Sequence, residues 1–169
     1  MVEDRRSLFI TGLKNAHAME NQALSIIKPQ LKRIENYPQV AARLETHLRE
    51  TEAQITRLED ILASLDEDNS TLKDWMLSAS GSMAAIGHSM ADDEILKNSF
   101  ANFAFENFEI AAYNSLIVMA ELGGFQGAVA GLQQNLSEEE DMAAWLQDNL
   151  REVTTEFVAR REAGESAKV

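Results

Sequence analysis

Five glutamates lie on or beside the apolar stripes of four long segments that have helical periodicity. They are Glu20, Glu50, Glu106, Glu109 and Glu139. A carboxylate that faces the inside of a helical bundle is costly unless it has a partner, because burial penalises its charge. Acidic residues on each helix are also what a four-helix bundle uses to build a two-metal carboxylate site. The chemistry that these residues suggest is the binding of divalent metal ions between the helices.

Two histidines share helix faces with these glutamates, but in a different order from the usual di-iron site. That site uses Glu-x-x-His, because residues three apart lie on one face of a helix and can bind one metal. Here His17 comes three residues before Glu20, and His47 comes three residues before Glu50. The residues three places after Glu20, Glu50, Glu109 and Glu139 are Ala23, Ala53, Ala112 and Met142. A rearranged nitrogen and oxygen site remains geometrically possible, so His17 and His47 join the five glutamates as candidate metal ligands.

Each of these residues also has a purely structural interpretation. His17 could hydrogen-bond a neighbouring carboxylate instead of a metal. The acidic residues could form ion pairs between helices with Arg43, Arg49 or Arg57, or could share protons at raised pKa values. From the residues alone, both a metal site and a paired polar core stay open.

Composition narrows the class of protein. The chain has 169 residues, 8 Gly, 2 Pro and no Cys, which favours a mostly helical fold and excludes disulfides and thiolate metal sites. Its formal net charge of −13 argues against nucleic acid and anionic membranes as partners. No apolar run is long enough to span a membrane and no signal peptide is recognisable, so we expect a cytoplasmic protein.

The elements that must position the candidate ligands are four helices, predicted over about 7–36, 38–65, 93–122 and 125–161. Pro29 falls inside the first and is expected to kink or interrupt it. Gly123 and Gly124 end the third. Ser137 could begin a new helix through a capping box, but the apolar spacing continues past it without a change of phase, so we predict one helix there.

Loop lengths predict the topology. Helices one and two, and helices three and four, are joined by a few residues and should form antiparallel hairpins. The stretch 66–93 is long enough to return along the bundle, and it could contain short helices at Leu72–Met76 and Met83–Met90. We therefore predict an all-α, ferritin-like four-helix bundle with one long crossover. It would be a single domain over 1–161, followed by a frayed polar tail over 162–169.

Several segments resemble the YciF/YciE-like stress-protein family. HLRETEAQ (47–54), ENFEIAAY (106–113), MAELGG (119–124) and LSEEE (136–140) are similar to its HLEETxxQ, EHYEIAxY, AExLG and LxEEK stretches, and ENQAL (20–24) is similar to its AEKQL. The resemblance implies a ferritin-like bundle, usually dimeric, with a centre proposed to hold two metal ions. It also implies that the five glutamates occupy the positions of the family's central carboxylates.

The chain departs from this family pattern near the expected centre. Arg49 replaces a glutamate of HLEET, Ala143 replaces an acidic residue, and the crossover lacks the family's glutamates. We therefore expect a ferritin-like, stress-associated protein whose carboxylates bind divalent metal, iron or manganese, with weak or absent activity. Glu50 and Glu139 would be the bridging residues.

The alternative is a metal-free dimeric bundle with a structural or stress-protective role, in which Arg49 and the histidines lock the glutamates. Both hypotheses predict a homodimer, because the third helix is rich in phenylalanine. These residues are Phe100, Phe103, Phe105 and Phe108.

Overall fold

The computed structural model describes residues 4–65 and 91–169 of the chain. These ranges contain four helices and no strand: α1 (Arg5–Arg33), α2 (Pro38–Ser64), α3 (Glu94–Gly123) and α4 (Gln126–Glu162). The predicted all-α fold is thereby confirmed. The short helices predicted at Leu72–Met76 and Met83–Met90 lie outside the described residues.

The helix ends follow from local chemistry. Asp4 caps α1 by accepting a hydrogen bond from the Ser7 backbone N–H at 2.8 Å. Pro38 starts α2, where its missing N–H costs nothing. Gly124 ends α3 with a φ of 78°, a left-handed conformation that an L-residue with a Cβ adopts only at a cost.

The predicted helix boundaries can be compared with the structure at Pro29 and at Ser137. Pro29 lies inside α1, which continues past it to Arg33 without interruption. α4 runs through Ser137 as one helix of 37 residues, so the prediction of a single helix there is confirmed. Continuous apolar spacing therefore outweighed a local capping signal.

Contacts at one end of the bundle fix the helix directions. Arg5, at the start of α1, donates to the Leu122 carbonyl at the end of α3 at 2.7 Å. Arg6 donates to the Leu65 carbonyl just after α2. α2 and α3 are thus both antiparallel to α1 and parallel to each other, as expected if a long crossover joins them. α1 packs on α2 and α3, and α4 packs on the same two helices.

The core is divided into two apolar clusters with a polar layer between them. One cluster includes Phe9, Leu13, Leu58, Leu116 and Leu132. The other includes Ile27, Tyr37, Leu44, Met142 and Leu146. Between them along the helices lie the buried polar residues Glu20, His47, Gln54, Glu106, Glu109 and Glu139. Apolar packing at both ends therefore holds four helices around a charged middle.

The tail differs from the frayed one that we expected. Gly164, with a φ of 72°, turns the chain back after α4. The Ala167 carbonyl then accepts from Tyr37 OH at 2.7 Å, and the Lys168 carbonyl accepts from the Ile95 N–H at 2.8 Å. Ala167 itself is buried. The polar composition of the tail hid this docking, because these two bonds come from backbone carbonyls, which leave no pattern in the sequence.

Candidate metal centre

Three helices bring one histidine and three glutamates together in the polar layer. α2 supplies His47, α3 supplies Glu106 and Glu109, and α4 supplies Glu139. One ligand atom from each lies within 4.8 Å of the others, and all four residues are buried. Glu106 and Glu109 can converge because residues three apart share a helix face. The buried group could hold a metal ion.

The carboxylates of this group are largely unpartnered. Both oxygens of Glu109 and both oxygens of Glu139 are buried and accept no hydrogen bond from the described residues. His47 Nε2 lies 3.2 Å from Glu106 Oε1 and 3.8 Å from Glu139 Oε2, which are ion-pair distances when the imidazole is protonated. Buried polar atoms in folded proteins nearly always have a partner, so a cluster of exceptions calls for an explanation.

Burial and mutual repulsion favour the protonated form of Glu109 and Glu139. Burial raises the pKa of Glu109 well above its usual value, and the charges of Glu20 and Glu106 raise it further, while contact with Glu139 acts in the opposite direction. Burial likewise raises the pKa of Glu139 well above normal, helped by the charge of Glu109. Without a metal ion, Glu109 and Glu139 are therefore driven towards their neutral form.

The surroundings of His47 favour its charged form, whereas those of Glu109 and Glu139 favour the neutral form. Burial alone would lower its pKa, but contacts with Glu106 and Glu50 outweigh burial and raise the pKa to about 9. The imidazole is therefore cationic at neutral pH when no metal is bound. It acts as an internal positive charge for the glutamates around it.

Glu50 lies beside this group rather than in it. Its Oε2 accepts from Arg43 Nη1 at 2.8 Å and lies 3.2 Å from His47 Nδ1. Its side chain is about one quarter exposed, at 25%. Burial by itself would raise the Glu50 pKa, but His47 and Arg43 together lower it. The structure thus places Glu50 behind the histidine ring, on the side away from the converging carboxylates.

Glu20 contributes from α1 at the edge of the group. Its Oε1 accepts a hydrogen bond from Tyr113 OH, and its Oε2 is buried without a partner. Asn135 Nδ2 donates to the same tyrosine oxygen at 2.9 Å. Burial raises the pKa of Glu20 to about 7, although the bond from Tyr113 and the charge of His47 act in the opposite direction.

His17 contacts residues outside the group of converging ligand atoms. Its Nε2 lies 3.0 Å from Glu59 Oε1, and its Nδ1 lies 3.3 Å from Asn21 Nδ2. The ring is buried, yet the structure does not bring it into the group of converging ligand atoms. This arrangement matches the structural alternative for His17, a bond to a neighbouring carboxylate.

Of the three arginines that the sequence offered as partners for the acids, Arg43 is the one that reaches Glu50. Arg49 is exposed and donates to Thr46 Oγ1 at 3.1 Å, so it does not lock the glutamates. Arg43 reaches Glu50 instead, because seven residues make two helical turns and put both on one face.

Gln54 is a buried residue that was missing from the predicted ligand set. Neither polar atom of its side chain has a partner among the described residues. Its spacing on α2, seven residues after His47, was the signal that could have found it, because that spacing repeats the same helix face.

The chain is similar over most of its length to solved structures. A protein from Xanthomonas campestris pv. campestris has 28% sequence identity and a TM-score of 0.78, covering 94% of this chain and 99% of its own. YcfI from Rhodopseudomonas palustris has 27% identity and a TM-score of 0.64, covering 86% and 94%. The E. coli stress protein YciF has 22% identity and a TM-score of 0.69, covering 88% and 96%.

These likenesses confirm the resemblance to YciF and the helical-bundle fold. Within the described residues, no helix is long and apolar enough to cross a membrane. A family model matches residues 4–159, nearly the whole chain. The chain therefore belongs to the family described as "Domain of unknown function (DUF892)".

Proposed function

We propose that the protein binds a divalent metal ion, iron or manganese, between its helices through His47, Glu106, Glu109 and Glu139. The observation that carries this proposal is the convergence of these buried ligand atoms, most of which have no hydrogen-bond partner. Burying several carboxylates without donors is unfavourable unless protons or a cation neutralise them. A divalent cation satisfies all of them at once.

The donor set favours particular metals. Carboxylates are hard oxygen donors that suit manganese and magnesium, while imidazole suits iron, zinc and other transition metals. Three carboxylates with one imidazole therefore favour manganese or ferrous iron over magnesium, which prefers oxygen donors and retains its water.

Catalytic activity is proposed to be weak or absent. The four ligand residues are at most 3% exposed, so a substrate could reach them only by displacing packed side chains. A bound iron or manganese ion would supply Lewis-acid or one-electron redox chemistry. The protein's own contribution is to hold the ligands in place and to release the proton from His47 when its nitrogen becomes a ligand.

Thermal denaturation in the presence of metal tests this proposal. We expect Mn²⁺, or Fe²⁺ without oxygen, to stabilise the wild-type protein by about 2.7 kcal/mol when the free ion is at 100 times its dissociation constant. Glu139→Gln should abolish that gain. Glu140→Gln is the matched control, because it makes the same change one residue away on the exposed face of α4. An equal gain in Glu139→Gln would refute the proposed ligand set.

The second candidate function is a metal-free homodimeric bundle with a structural or stress-protective role. The observation that favours dimerisation is the outer face of α3. Between Lys97 and Glu121, the only charged residues of this helix are Glu106 and Glu109, and both are buried. The exposed apolar side chains of this face are Phe100, Phe103, Phe108, Val118 and Met119.

We propose a second copy of the chain as the occupant of this face. Two copies that each carry a net charge of −13 repel each other, except across a surface that has no charges. A dimer is compatible with either function. Sedimentation velocity at micromolar concentration should show a dimer for the wild type and a monomer for Phe108→Asp, whereas a monomeric wild type would contradict the proposal.

A stress-associated role completes the leading proposal. It rests on the resemblance to the YciF/YciE-like family and on the similarity to the E. coli stress protein YciF. We expect deletion of the gene to impair survival under oxidative or osmotic stress. The wild-type gene should restore survival and the Glu139→Gln gene should not, if metal binding is what matters.

A further inference from the structure

Two acids of the polar layer are held by donors of the protein and do not converge with the other ligands. Glu50 accepts from the Arg43 guanidinium at 2.8 Å, on the Nδ1 side of His47. Glu20 accepts from the hydroxyl of Tyr113. Neither belongs to the group of atoms that lie within 4.8 Å of one another. The chain therefore carries six potential ligand residues in and around the centre, but brings only four together.

The spread of the four converging ligand atoms matches one ion. Metal–oxygen and metal–nitrogen bonds of about 2.1 Å place two donors on opposite sides of one ion about 4.2 Å apart. One donor atom from each of the four residues lies within 4.8 Å of the others, which is close to that value. His47, Glu106, Glu109 and Glu139 can therefore all bind the same ion.

Charge leads to the same conclusion. Three carboxylates carry enough negative charge for one divalent ion, and a second ion would require further acids. Glu50 is the acid nearest to His47 on its other side, but Arg43 already neutralises it, and a guanidinium stays protonated at every accessible pH. A cation at Glu50 would have to displace Arg43 or sit beside its positive charge. The guanidinium is close enough to lower the pKa of His47.

We propose that the centre holds a single ion per chain, and that Arg43 and Tyr113 are positioning residues that exclude a second ion by holding Glu50 and Glu20. This inference rests on the proposed function. It differs from the two-ion centre that the family resemblance implied, and it assigns Glu50 a different role from that of a bridging ligand. By bonding His47 Nδ1, Glu50 orients the ring so that Nε2 faces Glu106 and Glu139.

Metal stoichiometry measured by equilibrium dialysis with Mn²⁺ tests this inference, together with electron paramagnetic resonance of the bound ion. The wild type should bind about one Mn²⁺ per chain and give the hyperfine pattern of an isolated ion. The double variant Arg43→Met/Tyr113→Phe should bind about two ions and show the altered spectrum of a magnetically coupled pair. These readouts report ion number directly, so a general effect on stability does not imitate them.

Matched controls are available for both substitutions. Arg49→Met makes the same change on α2 at an exposed residue whose one bond within the described part of the chain is to Thr46. Tyr37→Phe removes the hydroxyl of the other buried tyrosine, which bonds the tail and not the centre. Both controls should bind about one ion. If Arg43→Met does not fold, as judged by circular dichroism, Arg43→Gln keeps polarity and removes the charge.

Each outcome decides a different claim. Two ions in the wild type would overturn the single-ion inference while leaving the proposed function intact. One ion in the wild type and one in the double variant would overturn the roles of Arg43 and Tyr113. No ion in the wild type would overturn the proposed function and, with it, this inference.

Discussion

Glu94 and Glu139 are both fully buried carboxylates, yet the protein treats them differently. Glu94, in the first turn of α3, accepts two hydrogen bonds from Arg33, at 2.9 and 2.7 Å, and faces Lys168 Nζ at 3.5 Å. Glu139, in the middle of α4, accepts none from the described residues. The two residues have the same chemistry and the same 0% exposure, and they differ only in their partners.

The difference separates structural acids from ligand acids. Glu94 of α3 pairs with Arg33 of α1 and with Lys168 of the tail. These ion pairs hold α1, α3 and the tail together. At Glu139, the surrounding groups are other acids and one histidine, and no arginine or lysine bonds it among the described residues. Buried acids that share one histidine as their only nearby cation among the described residues require protons or an external cation as well.

The largest effect on the free energy of unfolding should come from removing Arg33, the hydrogen-bond partner of Glu94. Arg33→Met leaves Glu94 buried with Lys168 as its remaining cation, so we expect a loss of about 3 kcal/mol in the free energy of unfolding. Urea denaturation with a chelator present measures it. Lys97→Met is the control, because Lys97 forms an exposed pair with Asp93 and its loss should cost less than about 0.5 kcal/mol. Equal losses would contradict the structural role of Arg33.

The pH dependence of the metal-free protein should be the next largest effect per residue, about 2 kcal/mol for each of Glu20 and His47, since one pKa unit corresponds to about 1.4 kcal/mol. The folded pKa of Glu20 is raised from 4.5 to about 7, so its contribution is complete below 4.5 and is lost as pH rises through 7. The folded pKa of His47 is raised from 6.5 to about 9, so its contribution is lost as pH rises through 9. Both predict lower stability at pH 8.5 than at pH 5.5.

Glu50 does not disturb this pH window. Its pKa is lowered below 4.5, so its contribution is complete above that value and is lost only at more acidic pH. Chelator-treated protein unfolded in urea at the two pH values provides the measurement. Stability that is constant or rises between pH 5.5 and 8.5 would mean that the acids of the centre have partners that compensate their burial. Added Mn²⁺ should stabilise more at pH 8.5 than at pH 5.5, because protons compete less for the ligands at the higher pH.

The smallest effect on the metal-free protein should come from Glu139→Gln. Glutamine has nearly the same shape, removes an acid from a repelling cluster and brings an amide donor for its neighbours. We expect a change of less than about 1 kcal/mol in the free energy of unfolding, because no hydrogen bond to the side chain is lost. A loss as large as that of Arg33→Met would show that Glu139 already has a structural partner and would remove the contrast with Glu94.

The fold could be predicted from sequence because its signals are repeated along each helix. Apolar spacing, two short loops and the Gly123-Gly124 end were enough to predict four helices and their directions. Glu106 and Glu109 converge as their spacing implied, since both lie on one face of a helix packed on two others. These features depend on the spacing of residues along each helix, which can be read from one sequence.

The candidate site could be predicted only in part, because side-chain partners come from other helices. Nothing in the spacing of His17 revealed that Glu59 of α2 would bond it. To predict whether Arg43 or Arg49 lies beside the centre, one must know which face of α2 points towards it. The docking of the tail was hidden for a related reason, as two of its bonds come from backbone carbonyls that leave no pattern in the sequence.

The most direct test of the metal centre is the metal content of protein purified without chelator and then equilibrated with Mn²⁺ or anaerobic Fe²⁺ near pH 8. Elemental analysis should find about one ion per chain in the wild type and in Glu140→Gln, and almost none in Glu139→Gln. No ion in the wild type, together with an unchanged melting temperature on adding either metal, would contradict the account and favour the metal-free bundle.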